Sequence, residues 1–157
     1  MITAHAPAGY ITGKVLSNDP KIIRGAVLGG IFPDFDLVWF YLIDDRAFHH
    51  HHYLVHVPFF WLVCASVCFP LCFVYFSKQL RILSAFFACV AVHIALDGIA
   101  GGIKLLRPLS NTLFDIVNVA PVYKNWILNF VPHQVFLLEL LIWVAALVIY
   151  MRQRAGF

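Results

Sequence analysis

Residues 57–76 read VPFFWLVCASVCFPLCFVYF, and residues 82–103 read ILSAFFACVAVHIALDGIAGGI. Each run is almost wholly apolar and about as long as the ~20 residues that a helix needs to cross the ~30 Å hydrocarbon core of a bilayer. The turn SKQLR at 77–81 joins them and is basic. The sequence therefore predicts two neighbouring transmembrane helices connected by a basic turn.

The composition of the whole chain also favours a membrane protein. Of its 157 residues, 62% are hydrophobic and 12% are charged, against roughly 45–50% and ~25% in soluble globular proteins. A soluble domain of this size has too much surface for its volume to hide so much apolar side chain. These values exclude a disordered chain, a secreted disulfide scaffold and an ordinary soluble enzyme. The basic residues form no run, which argues against a nucleic-acid partner.

Two further segments are predicted to span the membrane, at 22–43 and 134–151. The first contains Pro33, which removes a helical hydrogen bond and is expected to break or kink the segment. The second is slightly short and contains Glu139. The apolar piece at 2–16 is too short to span and is expected to form a half-depth or interfacial helix. We therefore predict an all-α fold, a polytopic membrane helical bundle with about four transmembrane helices plus a short N-terminal helix.

The basic residues predict the orientation of the bundle, because Lys and Arg concentrate on the cytoplasmic side of membrane proteins. If the four segments alternate across the bilayer, seven basic residues and a single acid, Asp19, share one side. We expect that side, with both terminal basic segments, to be cytoplasmic in a cell (inner) membrane. The seven are Lys14, Lys21, Arg24, Lys78, Arg81, Arg152 and Arg154.

Ionisable residues occur inside these apolar segments, where they are costly and usually functional. His93 and Asp97 of HIALD are four residues apart, so they share a helix face, as do the two metal-binding histidines of HExxH. Asp34 and Asp36 of GGIFPDFD lie directly after Pro33. A turn at that proline can point both carboxylates into a common cavity.

The predicted topology brings histidines from several segments to compatible depths. By the helical rise of ~1.5 Å per residue, His5 lies roughly 13 Å and His93 roughly 18 Å from the basic end of its helix. The histidine run at 49–52 and His56 approach from the outer side. Imidazole and carboxylate ligands without a thiolate suit zinc, and also manganese or iron. The sequence therefore predicts a divalent metal site, with zinc as the first choice.

Each motif also has a purely structural interpretation. HIALD could hold only an intrahelical His–Asp hydrogen bond, PDFD could be a helix cap or a turn, and the histidine run could be a solvated loop. The coincidence of three acids and several histidines inside apolar segments favours a metal site. Two alternatives stay open: a metal- or proton-translocating protein that uses the same cluster, and a scaffold with a polar core and no metal.

The order of the motifs resembles that of the YdjM-like, LexA-regulated membrane-bound metal-dependent hydrolases. That family has an N-terminal His, a small-Gly-Gly-x-x-Pro-Asp-x-Asp segment, His-Arg-x-x-Thr-His-Ser, and His-x-x-x-Asp followed by glycines and a Pro. After His5, the matching segments are LGGIFPDFD, HHYLVHV and HIALDGIAGGIKLLRPLS, over roughly residues 1–115. In HHYLVHV, this chain has His52, Val55 and Val57 where the family has Arg, Thr and Ser.

The resemblance implies a single integral-membrane, metal-dependent hydrolase-like domain over residues 1–157. The ligand order is also similar to that of zinc-dependent phospholipase C, which implies a phosphoester or another lipid-linked ester cleaved by a metal-activated water. The expected partners are the lipid bilayer and a small-molecule or lipid substrate, without nucleic acid. Asp36 is expected to accept the proton of that water. The expected metal ligands are His5, Asp34, Asp36, His51, His56, His93 and Asp97.

Overall fold

The chain is almost entirely helical where its structure is described. The computed structural model describes residues 3–48, 50–120, 122–123 and 126–155. Within these residues the sole pairing of extended backbone is one antiparallel bridge, between Ile103 and Phe114. Four helical segments are long and apolar enough to cross a membrane, and with the short N-terminal helix they confirm the predicted fold. The four segments are Pro20–Leu42, Pro58–Tyr75, Ser77–Ala100 and Gln134–Arg154.

The helices are numbered in chain order. The α-helices are α1 His5–Leu16, α2 Pro20–Ile31, α3 Asp36–Leu42, α4 Pro58–Tyr75, α5 Leu80–Ala100, α6 Trp126–Phe130 and α7 Gln134–Arg154. Short 3-10 helices cover Phe32–Phe35, His50–His52, Leu54–His56 and Ser77–Gln79.

The predicted interruption at Pro33 is present in the structure. α2 ends at Ile31, the 3-10 helix Phe32–Phe35 follows, and α3 begins at Asp36. Proline has no N–H to donate and its ring clashes with the preceding turn, which favours an interruption at Pro33, although α4 continues through Pro70. The tighter turn places the two aspartates at the junction between α2 and α3.

α1, α2 and α5 form the most closely packed part of the bundle. Gly29 of α2 lies directly against the backbone of Phe86 in α5, with no room for a side chain. Gly30 faces α1, where a Cβ atom would lie 2.6 Å from the carbonyl oxygen of His5. Small residues let membrane helices approach in this way. As a result, the start of α1, the end of α2 and the second half of α5 meet at one level.

α4 and α7 leave most of their apolar surface uncovered. Only 11% of the α4 span and 17% of the α7 span is buried in the protein. Phe73 on α4 and Leu141 on α7 are 69% and 65% exposed. Soluble proteins rarely expose continuous apolar surface of this extent. The hydrocarbon of a bilayer would cover these faces.

Glu139 of α7 is buried and binds the segment that precedes α1. Thr3 donates two hydrogen bonds to Glu139 Oε1, one from its backbone N–H and one from Oγ1 at 2.7 Å. Trp143 Nε1 donates to Thr3 Oγ1 at 2.9 Å. These contacts tie the residues before α1 to α7 and so help to fix the position of His5.

Candidate metal centre

Asp97 lies at the centre of a buried cluster near the end of α5. Its side chain is fully buried, and four imidazole nitrogens approach its carboxylate oxygens. The distances are 3.0 Å to His93 Nε2, 3.2 Å to His5 Nε2, 3.2 Å to His56 Nδ1 and 3.6 Å to His51 Nε2. These histidines belong to α1, to α5 and to the two 3-10 helices before α4. The cluster therefore forms only when the bundle is assembled.

The junction between α2 and α3 adds two carboxylates to the same cluster. Asp36 Oδ2 lies 3.0 Å from His56 Nε2 and 3.9 Å from His50 Nδ1. Asp34 Oδ1 lies 3.7 Å from His93 Nε2. The interruption at the proline thus directs both aspartates toward histidines, as the sequence predicts.

Backbone carbonyls orient two of the histidines. The oxygen of Gly30 lies 2.7 Å from His93 Nδ1, and the oxygen of Gly101 lies 2.6 Å from His51 Nδ1. A carbonyl can only accept, so each Nδ1 carries a proton, and in the neutral ring Nε2 then has the lone pair that a metal needs. Both Nε2 atoms face Asp97. Metal-binding histidines use this arrangement, in which the second ring nitrogen donates to a protein acceptor.

Several buried atoms of the cluster make no well-aligned hydrogen bond within the described part of the chain, although Nε2 of His5 and Nε2 of His93 lie 3.2 and 3.0 Å from Asp97. They are both ring nitrogens of His5, Nε2 of His93 and Oδ1 of Asp36. The rings of His5 and His93 stack with their centroids 3.8 Å apart. Buried polar atoms without partners are rare in proteins, and a bound ion is one of the recognised explanations. A divalent cation between these atoms would satisfy them, so the residues present fit a metal.

Three sets of ligand atoms in the cluster are compact enough to hold a metal ion, since the atoms of each set lie within 4.8 Å of one another. We name the first two after an aspartate. The Asp36 group is Asp34, Asp36, His50 and His56, the Asp97 group is His5, His93 and Asp97, and the third set is His51, His56 and Asp97. The first two share no residue, and the third takes one residue from each. The cluster therefore offers enough ligands for two ions at once, with three or more ligands for each ion.

The carboxylates of the cluster shift the pKa of His56, a residue that lies before α4 and outside the spanning helices. Burial lowers the pKa of His56, but hydrogen bonds with Asp36 and Asp97 outweigh burial and raise the pKa to about 9. The imidazolium is stabilised because two carboxylates surround it. The same carboxylates would stabilise a metal cation at this position.

All seven residues predicted to be metal ligands lie in this cluster. His50 also belongs to the cluster, in the Asp36 group, and was not predicted from the sequence. Four consecutive histidines have no periodicity to show which of them face inward, and the family motif points to His51 alone. His49 lies outside the described residues. His52 stacks on Phe48, with ring centroids 6.3 Å apart, and belongs to none of the three sets.

The fold and the cluster together define a polytopic membrane protein with a buried His/Asp cluster suited to divalent metal. The chain belongs to the YdjM inner membrane protein family, because the model of that family matches residues 1–157, the whole chain. The family predicted from the order of the motifs is thereby confirmed. No curated protein and no solved structure matches the chain.

Proposed function

We propose that this protein is a membrane-embedded, metal-dependent hydrolase that cleaves a phosphoester or another lipid-linked ester. The observation that carries the proposal is the fully buried Asp97 with four histidine nitrogens no more than 3.6 Å from its oxygens. A structural hydrogen-bond network would leave fewer buried nitrogens without partners. Membership of an inner membrane protein family supports the membrane setting of the reaction.

The proposed cofactor is divalent metal, zinc first, with manganese or iron as alternatives, because the ligands are imidazoles and carboxylates. A bound ion of this kind acts as a Lewis acid and lowers the pKa of its water to ~7. The Asp97 group would hold one ion and the Asp36 group a second. Hydrolases with two neighbouring metal positions use them to stabilise both the attacking and the leaving oxygen of an ester.

Asp36 is the residue that we propose accepts the proton of the attacking water. Its Oδ2 is held 3.0 Å from His56 Nε2. Its Oδ1 is buried and makes no hydrogen bond within the described residues, so it can take a proton. Surroundings with little water would strengthen the electrostatic interactions of the cluster with a developing charge.

The variant Asp36→Asn tests this role. We expect it to fold and to retain metal in the Asp97 group, while hydrolysis falls about 10²–10⁴-fold because an amide cannot act as a general base and is a poor ligand for the second ion. The measurements are metal content by elemental analysis and kcat on a panel of phosphoesters and phospholipids. Asp115→Asn is the matched control, since Asp115 is exposed in the loop before α6. Wild-type activity in Asp36→Asn would remove this residue from the mechanism.

The cluster lies at the end of the bundle opposite the seven basic residues that are predicted to be cytoplasmic. His5 begins α1, whereas Lys14 lies in its last turn, and Lys21 lies at the start of α2, whereas Gly30 lies near its end. Since basic residues favour the cytoplasmic side, we propose that both basic termini are cytoplasmic and that the cluster opens outward.

A membrane-impermeant chelator tests this orientation. Added to right-side-out vesicles, it should remove activity, and added to sealed inverted vesicles it should have no effect, because only the outer side reaches the metal. A permeant chelator is the control and should act on both preparations. Loss of activity confined to inverted vesicles would show that the orientation is the reverse.

A metal- or proton-translocating protein is the second candidate, and one observation favours it. The helix α2–α3 is interrupted at the cluster, and transporters often bind ions at interrupted helices. Sealed proteoliposomes separate the two functions. Ester hydrolysis without ion flux supports the hydrolase, and flux of metal or protons without hydrolysis supports the transporter.

A further inference from the structure

An apolar hollow lies between α1, α2 and α7, on a side of α1 that the metal centre does not use. It has a volume of about 550 Å³, within the roughly 300–1,000 Å³ of known ligand pockets. Its walls are apolar or aromatic and include Pro7, Val27, Trp143 and Leu147. The span from Trp143 to Tyr150 along α7 gives the hollow a length of about 10 Å.

Two tyrosines lie at the end of this hollow that is nearest the basic residues. Tyr10 and Tyr150 line both the apolar hollow and the next one, which is polar and has a volume of about 330 Å³. Their rings lie edge to face with centroids 6.5 Å apart, and Tyr10 Oη donates to Gln153 Oε1 at 3.2 Å. Tyrosines of membrane proteins concentrate where the hydrocarbon meets the headgroups. The two hollows are therefore placed as the hydrocarbon and headgroup parts of one continuous groove.

The headgroup part of the groove is basic. Arg24 and Arg154 line the polar hollow, and Lys14 and Arg152 line an adjoining third hollow. The guanidinium of Arg154 lies over the ring of Tyr150, 5.5 Å from its centroid, and its Nε donates to Tyr150 Oη at 3.1 Å. No described Asp or Glu lines any of the three hollows. The groove thus combines apolar walls with four cations at one end.

We propose that this groove binds a resident phospholipid with an anionic headgroup. The part of one acyl chain nearest the headgroup would lie between α1 and α7, and the phosphate would bind Arg24 and Arg154. Guanidinium groups bind phosphate through paired, charge-assisted hydrogen bonds, and basic pockets between membrane helices bind anionic lipid headgroups. The inference does not depend on the proposed hydrolase. The basic end is separated from His5 by about 13 Å of α1, so the phosphate of this lipid lies away from the metal centre.

The test is lipid binding to the full chain in detergent, followed by native mass spectrometry. The probes are phosphatidylglycerol, phosphatidylcholine with the same acyl chains, and inorganic phosphate. We expect phosphatidylglycerol to bind about tenfold or more tightly than phosphatidylcholine, because each Lys or Arg near an anionic headgroup adds to the attraction. Inorganic phosphate should not displace it, because phosphate gains nothing from the apolar walls. Equal binding of the two lipids, or displacement by phosphate, would overturn the proposal.

Two pairs of variants locate the binding. Arg24→Gln with Arg154→Gln should abolish the preference for phosphatidylglycerol. Lys78→Gln with Arg81→Gln is the matched control, because it removes two cations from the same end of the bundle outside the groove. An equal loss in both pairs would mean that the preference reflects net charge alone, which contradicts a defined groove.

A third variant tests the apolar part. Leu147→Trp fills the hollow at a residue that is 55% exposed, so the helix can accept it. We expect it to weaken the binding of both lipids while the helix content stays at the wild-type level. Unchanged binding of phosphatidylglycerol would show that no acyl chain enters the hollow.

Discussion

We expect the Asp97→Asn protein to insert and fold but to lose the metal ion of the Asp97 group and its hydrolytic activity. Asp97 contributes to two of the three ligand sets, and four imidazole nitrogens face it. A neutral amide is a poor ligand for a divalent ion, so the loss of affinity should exceed the about 10–100-fold that follows loss of an outer hydrogen-bond partner. Insertion should be unaffected, since an Asp at the centre of a membrane helix itself costs ~2.5–3.5 kcal/mol.

Elemental analysis of the purified variant, beside circular dichroism, measures both parts of this expectation. Glu139→Gln is the matched control, because it converts another buried acid to its amide outside the three ligand sets. The control should keep its metal. Full metal content in a well-folded Asp97→Asn protein would show that this carboxylate is not a ligand.

A double replacement distinguishes a metal site from a structural pair. If His93 and Asp97 only hydrogen-bond each other, replacing both by Leu should be tolerated or even stabilising, as for other buried polar pairs. If they hold metal, the same change should remove the ion of the Asp97 group and abolish activity while the protein still inserts. The structure favours the second outcome, because Asp97 is approached by four histidines from different segments, not by His93 alone.

The second large effect is expected for His56→Ala. His56 belongs to two of the ligand sets, with one ring nitrogen facing Asp36 and the other facing Asp97. Its loss should remove a ligand of the Asp36 group and a close neighbour of Asp97, and should therefore reduce bound metal and hydrolysis together. His52→Ala should leave metal content near the wild-type value, since its ring stacks on Phe48 and belongs to none of the sets.

The comparison of these two histidines tests whether the region is an organised site. Equal losses in His56→Ala and His52→Ala would indicate a diffuse metal-binding patch. His49→Ala, at a position outside the described residues, is also predicted to keep its metal. Metal must be measured on protein purified without a nickel column, because the histidine run could take up nickel.

Hydropathy was enough to predict the four membrane-spanning helices. Runs of about 20 apolar residues are needed to cross a bilayer, so the four spans follow from local chemistry. Pro33 favours an interruption, but Pro70 lies inside α4, so a proline does not by itself determine the break at 32–35. The spacing of His93 and Asp97 placed them on one helix face. The positions of these residues along their helices placed them at similar depths in the membrane. This predicted that residues from four segments would meet in one cluster.

Other features of the site depend on the packed structure. The carbonyls of Gly30 and Gly101, which orient His93 and His51, are present at every residue, and no sequence pattern distinguishes these two. His50 was missed because a 3-10 helix, not an alternating pattern, directs it toward the turn after α2. The hydrogen bonds from Thr3 to Glu139 join residues 136 positions apart, which a local pattern cannot reveal.

The most direct test of the metal centre is the metal content of the full-length protein, purified without a nickel column and measured by elemental analysis with protein quantified by amino-acid analysis. The two ligand groups that share no residue predict two divalent ions per chain, with zinc the most abundant. The double variant that combines His56→Ala and Asp97→Asn should lose both ions. A well-folded protein that contains no stoichiometric divalent metal, and that binds none when zinc, manganese or iron is added, would contradict the account.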